Sequence, residues 1–214
     1  MKTQRTRVKI CGITNAEDAL AAVKAGADAL GVVLTEGPRQ VTLDEAAEAL
    51  RDAPPFVARV GVFVDADPAF VAEAAGRLGL SALQFHGEES PERCAHAPAP
   101  VVKALRVRDG ADLASELAAY RGAAAAFLLD TFVRGENGGT GVTFAWDSVP
   151  PLPRWAPVIV AGGLTPVNVG AAVRALVPFA VDVSSGVEER RRHKDHDKMQ
   201  AFVAAVRAAD AEVR

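Results

Sequence analysis

Short runs of β-branched and other apolar residues alternate along the chain with longer, alanine-rich runs in which apolar residues recur at helical spacing. This alternation predicts strands that are separated by helices. Most of the strand-like runs are apolar over nearly their whole length, which is typical of parallel strands covered by helices. The predicted strands are Val8–Cys11, Ala29–Leu34, Val57–Val64, Ala82–His86, Val101–Arg106, Ala125–Asp130, Val158–Ala161 and Phe179–Val183.

The predicted helices fall between these strands and after the last one. Asn15 precedes an acidic first turn, and Asp67 and Thr165 each precede a proline, as expected for residues that cap helix N-termini. Gly26 is placed to end the first helix. The predicted helices are Ala16–Ala25, Leu43–Asp52, Pro68–Leu78, Pro91–Ala97, Ala111–Tyr120, Trp146–Val149, Pro166–Leu176 and Lys194–Ala208.

The count of strand–helix units predicts the fold. Eight units in 214 residues indicate an α/β protein, a parallel eight-stranded (β/α)8 TIM barrel that forms a single domain over residues 1–214. The alternative, an open doubly wound sheet, normally carries a Gly-x-Gly-x-x-Gly turn after its first strand. The turn that starts at Cys11 lacks this pattern, so the barrel is favoured. The glycine-containing loop Val133–Thr143 is predicted to act as a lid.

Composition excludes several classes of protein. The net charge of −3 and pI near 5.8 indicate neither a basic nucleic-acid-binding surface nor an acidic tail. No apolar run reaches the roughly 18 residues of a membrane span, and the N-terminal segment lacks the apolar core of a secretory signal. Cys11 and Cys94 belong to no Cys/His ligand set. We therefore expect a cytoplasmic protein with no disulfide framework and no metal.

Polar residues lie at the carboxyl ends of the predicted strands, where a barrel carries its chemistry. The first strand ends in Cys11, the fourth in His86 and the sixth in Asp130, and Asp182 lies near the end of the eighth. Because side chains alternate along a strand, Lys9 should share the inward side of Cys11. We also predict a polar layer inside the barrel, made of Lys9, Arg59, Gln84 and Lys103.

Small residues dominate the last two strand-to-helix loops. Gly162 and Gly163 precede a predicted helix, and Ser184, Ser185 and Gly186 follow the eighth strand. In (β/α)8 barrels these two loops recurrently bind phosphate, because backbone N–H groups and a helix N-terminus can approach the anion closely. A Gly-Gly pair alone could be only a tight turn. Together the two loops favour a phosphate site.

Eight segments, taken in order, resemble the phosphoribosylanthranilate isomerase family of tryptophan biosynthesis: KICGIT, GADALGVV, RVGVFV, QFHGEE, LLDT, GGTGVTFAW, AGGL and DVSSGVE. The resemblance runs from about Val8 to Asp195. It implies an isomerase that performs an Amadori rearrangement by general acid–base catalysis, without metal or organic cofactor. The substrate would be N-(5-phosphoribosyl)anthranilate and the product 1-(2-carboxyphenylamino)-1-deoxyribulose 5-phosphate.

The resemblance also implies roles for single residues. Cys11, in KICG, would be the base that removes a proton from sugar C2, with Lys9 supplying positive potential. Asp130, in LLDT, would be the acid that protonates the ring oxygen. Arg39 matches the arginine that binds the anthranilate carboxylate. His86 and Asp182 are expected to contact substrate, and Asp182 could also keep Asp130 protonated. The phosphate would lie on the backbone of Gly162, Gly163, Ser184, Ser185 and Gly186.

Two departures from the family pattern stand beside this match. The chain reads Glu189 to Lys194 where the family often has proline, glycine, any residue and lysine, and the loop Leu34–Arg39 is about one residue short. Two other functions stay open: an Amadori isomerase of the histidine-pathway type, and a barrel that binds phosphate without catalysis. In each case we expect a small phosphorylated partner, no nucleic acid or membrane, and a monomer or homodimer.

Overall fold

The barrel predicted from the alternating pattern is present and closed. The structure is a computed structural model, and it describes residues 5–107, 112–130 and 155–213. Eight parallel strands pair in chain order, and the eighth pairs with the first. They are β1 Arg7–Cys11, β2 Ala29–Val33, β3 Ala58–Phe63, β4 Ala82–Phe85, β5 Val101–Arg106, β6 Ala126–Asp130, β7 Val158–Ala161 and β8 Ala180–Val183. The predicted fold class is confirmed.

Helices cover the outside of the barrel, and none that the structure describes is long and apolar enough to cross a membrane. They are α1 Ala16–Ala25, α2 Leu43–Leu50, α3 Pro68–Leu78, α4 Pro91–Ala95, α5 Leu113–Ala119, α6 Val169–Leu176 and α7 His196–Glu212. The predicted helix Trp146–Val149 and lid Val133–Thr143 lie outside the described residues. Extension of a single domain over all of residues 1–214 therefore stays a prediction.

Helices α6 and α7 begin later than predicted, each for a local reason. Asn168 accepts a hydrogen bond from the Thr165 amide at 2.7 Å and donates one to the Gly163 carbonyl at 3.0 Å. This turn delays the start of α6 from Pro166 to Val169. At Lys194 the chain instead forms a hairpin of two further strands, β9 Glu188–Arg190 and β10 His193–Lys194. Asp195 then caps α7 by accepting from the Lys198 amide.

The predicted polar layer inside the barrel is wrong for two of its four members. Arg59 donates to the carbonyls of Leu78 and Ala53, each at 3.3 Å, so it reaches toward the ends of the surrounding helices. Lys103 is in register with Phe85, whose side chain packs in the core against the helices. It therefore also points outward. Alternation within one strand could not reveal this, because the register with β4 decides the side.

Lys103 belongs to a buried ion pair that holds the loop after β4. Its ammonium lies 2.9 Å from a carboxylate oxygen of Glu89, and both side chains are at most 2% exposed. Glu89 also accepts from the backbone amides of Asp65 and Gly87, while Lys103 donates to the Gly87 carbonyl at 2.6 Å. Because His86 directly precedes Gly87, this ion pair fixes the loop that carries one of the predicted site residues.

The loops after β7 and β8 pack directly against each other. A Cβ atom added to Gly186 would lie only 1.8 Å from the carbonyl oxygen of Leu164. Real atoms do not approach this closely, so the backbone contact requires glycine at this position. The two loops predicted to bind phosphate are therefore neighbours in the fold.

We predict that Gly186→Ala lowers the free energy of unfolding by roughly 2 kcal/mol or more, because the added methyl group meets backbone rather than a movable side chain. Thermal unfolding measures the effect. Gly76→Ala is the matched control, since Gly76 lies in α3 with nothing within 4 Å of an added Cβ. The control should stabilise the protein by roughly 0.5–1 kcal/mol. A Gly186→Ala protein as stable as wild type would contradict the close contact.

The Glu89–Lys103 ion pair should make the free energy of unfolding depend on pH in the acidic range. Burial alone would raise the pKa of Glu89, but the hydrogen bond from Lys103 and that from the Asp65 amide hold it below its ordinary value. This stabilisation is complete above the unfolded-state pKa of about 4.3, and is lost as pH falls through the lower folded-state value.

We therefore predict that the acid-induced loss of stability becomes shallower in Glu89→Gln, by up to roughly 1.4 kcal/mol per pH unit below pH 4. Urea unfolding at a series of pH values measures this slope. The exposed neighbour Glu88 provides the control, and Glu88→Gln should keep the wild-type slope. An unchanged slope in Glu89→Gln would show that the carboxylate has the same pKa folded and unfolded.

Candidate active site

Closure between β1 and β8 places Lys9 beside Asp182 near the carboxyl end of the barrel. The two residues are in register, and the Lys9 ammonium lies 2.9 Å from an Asp182 carboxylate oxygen. Their side chains are only 6% and 9% exposed. Burial works to lower the pKa of Lys9, but attraction to Asp182 and Cys11 outweighs it, so the pKa is raised. Lys9 is therefore a charged ammonium inside the barrel.

Cys11 ends β1, as predicted, and it is buried next to Lys9. The neighbouring strand makes room for both side chains through Gly31. A Cβ atom at Gly31 would lie 2.9 Å from the Cys11 sulfur and 3.0 Å from the Lys9 ammonium nitrogen. Gly31 thus allows the thiol and the ammonium to sit side by side. Sequence reasoning did not single out this glycine, since only the strand register shows what it faces.

A second group of charges lies at the same end of the barrel. This end, where the carboxyl ends of the strands meet, is called the mouth below. Arg39 donates from Nε and Nη2 to the two carboxylate oxygens of Glu188, each at 2.6 Å. Lys194 completes the group: its ammonium lies 3.2 Å from Glu188 and 3.1 Å from the carbonyl of Ser184. Glu188 and Lys194 were not predicted as site residues. A signal existed, because Lys194 keeps the lysine of the family pattern at the end of the altered loop.

Three cations near Cys11 have pKa values that respond to it. The hydrogen bond with Glu188 raises the pKa of Arg39, and Cys11 adds to this shift. Burial lowers the pKa of Lys194, although Glu188 and Cys11 oppose the shift. Lys9 is the third cation whose pKa responds to Cys11. A thiolate at Cys11 would therefore be attracted by two ammonium groups and one guanidinium.

Asp130 ends β6, as predicted, and it contacts His86 from the loop after β4. Nε2 of His86 lies 3.3 Å from a carboxylate oxygen of Asp130, and Nδ1 lies 3.1 Å from the amide nitrogen of Gln84. This contact turns the ring so that Nε2 faces Asp130, and a proton on Nε2 can be donated to the Asp130 carboxylate. The predicted neighbour Asp182 is instead engaged by Lys9. About a quarter of the Asp130 side chain is exposed, which leaves it accessible to a ligand.

The two loops that are predicted to bind phosphate have backbone conformations that favour small residues. Gly162 and Gly163 adopt φ angles of 90° and 63°, which favour glycine. Ser185 starts a short 3-10 turn, Ser185–Val187, directly after β8. The contact at Gly186 holds this turn against the loop after β7. Gly163 and Ser185 are both exposed at the mouth, so an anion can reach the backbone there.

Charge and shape together define what the mouth can bind. Cys11, with its three cations, and the two small-residue loops lie where β1 and β8 meet, and Asp130 with His86 lies at β6 and the end of β4. A ligand with two anionic groups and a proton-transfer centre between them would suit this arrangement. Among the described residues, no group of three or more His, Cys, Asp or Glu side chains could hold a metal ion.

Comparison with known proteins identifies close relatives. The family model for N-(5'-phosphoribosyl)anthranilate isomerase matches residues 8–205. The curated N-(5'-phosphoribosyl)anthranilate isomerase of Pseudomonas fluorescens strain SBW25 is 51% identical over 203 residues, which cover 94% of this chain and 95% of the relative. That of Thiobacillus denitrificans is 52% identical over 205 residues, which cover 95% and 98% respectively.

Solved structures agree with this similarity. The crystal structure of the Thermotoga maritima phosphoribosyl anthranilate isomerase is 41% identical, with a TM-score of 0.87 over 95% of this chain and 99% of that chain. A structure in complex with reduced 1-(o-carboxyphenylamino)-1-deoxyribulose 5-phosphate is 39% identical, with a TM-score of 0.84 and the same coverage. Monomers generated from the dimeric Thermotoga maritima enzyme are 38% identical, with a TM-score of 0.83, again at 95% and 99% coverage.

The Lys9–Asp182 ion pair generates a stability prediction. We expect Lys9→Met to lower the free energy of unfolding by roughly 3 kcal/mol, because it leaves a buried carboxylate without its partner. The double variant Lys9→Met/Asp182→Leu should recover most of this loss, since it removes both charges. A double-mutant cycle by urea unfolding, completed with Asp182→Leu, measures the coupling. Additive effects of the two substitutions would contradict a direct pairing.

Proposed function

The chain belongs to the N-(5'-phosphoribosyl)anthranilate isomerase family, and we propose that Cys11 is the general base and Asp130 the general acid of its reaction. The enzyme converts N-(5-phosphoribosyl)anthranilate to 1-(2-carboxyphenylamino)-1-deoxyribulose 5-phosphate in tryptophan biosynthesis, so the predicted family and reaction are confirmed. One observation carries the proposed roles. Cys11 and Asp130 end two separate strands, β1 and β6, at the same mouth, each beside groups suited to its task.

The rearrangement needs one proton given and one taken on the sugar. Asp130 protonates the furanose ring oxygen, and the bond from that oxygen to C1 breaks as the nitrogen lone pair forms a Schiff base. The Cys11 thiolate then removes the proton on C2, and the electron pair of that C–H bond forms an enolamine. This enolamine tautomerises to the ketone as C1 gains a proton and the C2 hydroxyl loses one. Proton transfers of this kind contribute roughly 10²- to 10⁴-fold each.

The surroundings of Cys11 support its role as the base. A thiolate, rather than a thiol, accepts the proton, and positive charges nearby favour the thiolate. Lys9, Lys194 and Arg39 supply such charges from three different parts of the chain. Glu188 and Asp182 each pair with these cations and prevent an excess of positive charge. If the thiol is neutral, these five side chains sum to one positive charge, which attracts both a thiolate and an anionic substrate.

The contact with His86 supports Asp130 as the acid. When Asp130 has given its proton to the ring oxygen, its carboxylate can accept a hydrogen bond from Nε2 of His86, which lies 3.3 Å away. Gln84 holds the imidazole in the orientation that makes this possible. His86 thus stabilises the form of Asp130 that ring opening produces. The predicted substrate contact of His86 stays part of the proposal, because its ring also borders the mouth.

The two anionic ends of the substrate fit two separate places. We place the phosphate on the backbone of Gly162, Gly163, Ser184, Ser185 and Gly186. We place the anthranilate carboxylate on Arg39, whose side chain is 23% exposed and whose stem lies close to Gly12, the residue that follows Cys11. A guanidinium binds a carboxylate through two parallel hydrogen bonds. Asp182 would face the sugar from beside Lys9.

The remaining predictions concern the enzyme's partner, its cellular location and its oligomeric state. Its partner is a small phosphorylated molecule, in keeping with the ligand in the related complex, and we propose that it works in the cytoplasm as a monomer or homodimer. The histidine-pathway alternative is not favoured. The loop after β3 contains Asp65 and Ala66 rather than a glycine pair, and the Asp65 carboxylate already accepts from the Glu88 amide. The match to the isomerase family also removes the case for a barrel that only binds phosphate.

We predict that Cys11→Ala and Asp130→Asn each lower kcat by roughly 100-fold or more, because each removes one proton-transfer group. The loss of substrate fluorescence, with substrate made in situ, measures turnover. Each variant should also lose one limb of the pH–rate profile. Cys94→Ala, which changes the buried cysteine of α4, is the matched control and should keep the wild-type rate. Turnover by Cys11→Ala at the wild-type rate would contradict its role as the base.

A further inference from the structure

Arg39 presents only one of its edges to Glu188. Its Nε and Nη2 atoms each donate to a different carboxylate oxygen of Glu188 at 2.6 Å. A guanidinium carries five N–H donors in a planar fork, and this bidentate contact uses two of them. The edge formed by Nη1 and the second hydrogen of Nη2 is a further two-pronged face. That face is directed away from Glu188 by the planarity of the group.

The stem of Arg39 also has a close neighbour, the backbone at Gly12. A Cβ atom at Gly12 would lie 2.6 Å from Cδ of Arg39 and 2.9 Å from the hydroxyl oxygen of Ser184. The aliphatic stem therefore crosses the backbone of the residue that follows Cys11, next to a residue of the phosphate loops. Glu188 forms hydrogen bonds with one edge of the guanidinium, and the stem lies against the backbone at Gly12. These contacts restrict rotation of the guanidinium.

Glu188 is itself held in place by buried partners. Its side chain is 6% exposed, and the fully buried ammonium of Lys194 lies 3.2 Å from it. Glu188 and Lys194 face each other across the β9–β10 hairpin, and the backbone amide of Lys194 donates to Asp18 at 3.0 Å. Burial would raise the pKa of Glu188, but Arg39 and Lys194 lower it, so the carboxylate is charged.

Charge balance within the cluster of Arg39, Glu188 and Lys194 favours a substrate carboxylate that binds Arg39 while Glu188 stays in place. Arg39 and Lys194 carry two positive charges and Glu188 carries one negative charge, so the cluster can accept one more carboxylate. Displacement of Glu188 would instead leave a buried carboxylate with Lys194 as its remaining cation, which is costly. The open face of Arg39 offers a carboxylate two hydrogen bonds without that cost.

We propose that Glu188 is a positioning residue that aims the Nη1–Nη2 edge of Arg39 at the aromatic carboxylate of the substrate. The selectivity for a carboxylate-bearing substrate then depends on Glu188 as well as on Arg39, although Glu188 does not touch the substrate. This inference rests on the proposed role of Arg39 in binding the anthranilate carboxylate. It gives the hairpin after β8 a function: its two strands bring Glu188 and Lys194 together beneath Arg39.

The test compares two ligands that differ only in the carboxylate. One is reduced 1-(o-carboxyphenylamino)-1-deoxyribulose 5-phosphate, and the other is its phenylamino counterpart without the carboxyl group. Titration calorimetry of the wild type, Glu188→Gln and Arg39→Met gives the ratio of the two Kd values for each protein. We expect Glu188→Gln to lower the preference for the carboxylate ligand about 10-fold. We also expect KM to rise by a larger factor than kcat falls.

Matched variants distinguish a change in the orientation of Arg39 from a loss of the fold or of phosphate binding. Glu189→Gln changes the exposed neighbour on the same strand and should keep the wild-type ratio. Far-UV circular dichroism and binding of the phenylamino ligand show whether Glu188→Gln keeps its fold and phosphate site. If it does not fold, Glu188→Asp provides the test. This variant keeps the charge beside Lys194 but withdraws the carboxylate by one methylene, so it should lose part of the preference.

The outcomes distinguish this inference from the function on which it rests. If Arg39→Met keeps the preference for the carboxylate ligand, the proposed role of Arg39 fails. If Arg39→Met loses the preference while Glu188→Gln and Glu188→Asp keep or increase it, Arg39 binds the carboxylate without being aimed by Glu188, and the inference is overturned. If both residues are needed, the double variant Arg39→Met/Glu188→Gln should have the same ratio as Arg39→Met alone.

Discussion

Pairing of the first strand with the last is the constraint on which the site depends. The β1–β8 register sets Lys9 opposite Asp182, 173 residues away in sequence, and brings the end of β1 to the loop after β8. Cys11 therefore lies beside the small-residue loops rather than alone at the edge of a sheet. An open doubly wound arrangement of the same strands would separate these residues. Closure thus creates both the charge pair and the proximity of the candidate base to the candidate phosphate site.

Burying several charges at the barrel mouth requires that each has a partner, because an unpaired buried charge is strongly destabilising. Asp182 balances Lys9, and Glu188 is shared between Arg39 and Lys194. The shared carboxylate leaves the side of the mouth near Cys11 positive. The same balance therefore serves stability and chemistry, since it keeps the cations in place and leaves one charge for a thiolate or for an anionic substrate.

The fold and the strand-end positions of Cys11 and Asp130 were accessible from sequence because they depend on local pattern: apolar strands, helix caps, and polar residues at strand ends. The family resemblance supplied the proton-transfer roles of these two residues. Features that depend on strand register or on distant contacts were not. Alternation along β5 is uninformative because both of its faces are largely apolar, so Lys103 was assigned to the wrong side. The pairing of Glu188 with both Lys194 and Arg39 depends on the hairpin, although the family pattern already contained the lysine. The start of α6 shifted because the Asn168 side chain competes with the helix.

The most direct test is a crystal structure of this protein with reduced 1-(o-carboxyphenylamino)-1-deoxyribulose 5-phosphate bound. It shows whether both anionic groups of the ligand bind at the mouth of the barrel. We predict that the phosphate lies on the loops after β7 and β8 and that the aromatic carboxylate lies on Arg39. The sugar should lie between Cys11 and Asp130, with the Cys11 sulfur within roughly 4 Å of the carbon that corresponds to C2. A phosphate bound elsewhere, or a sugar out of reach of Cys11, would contradict the proposed site.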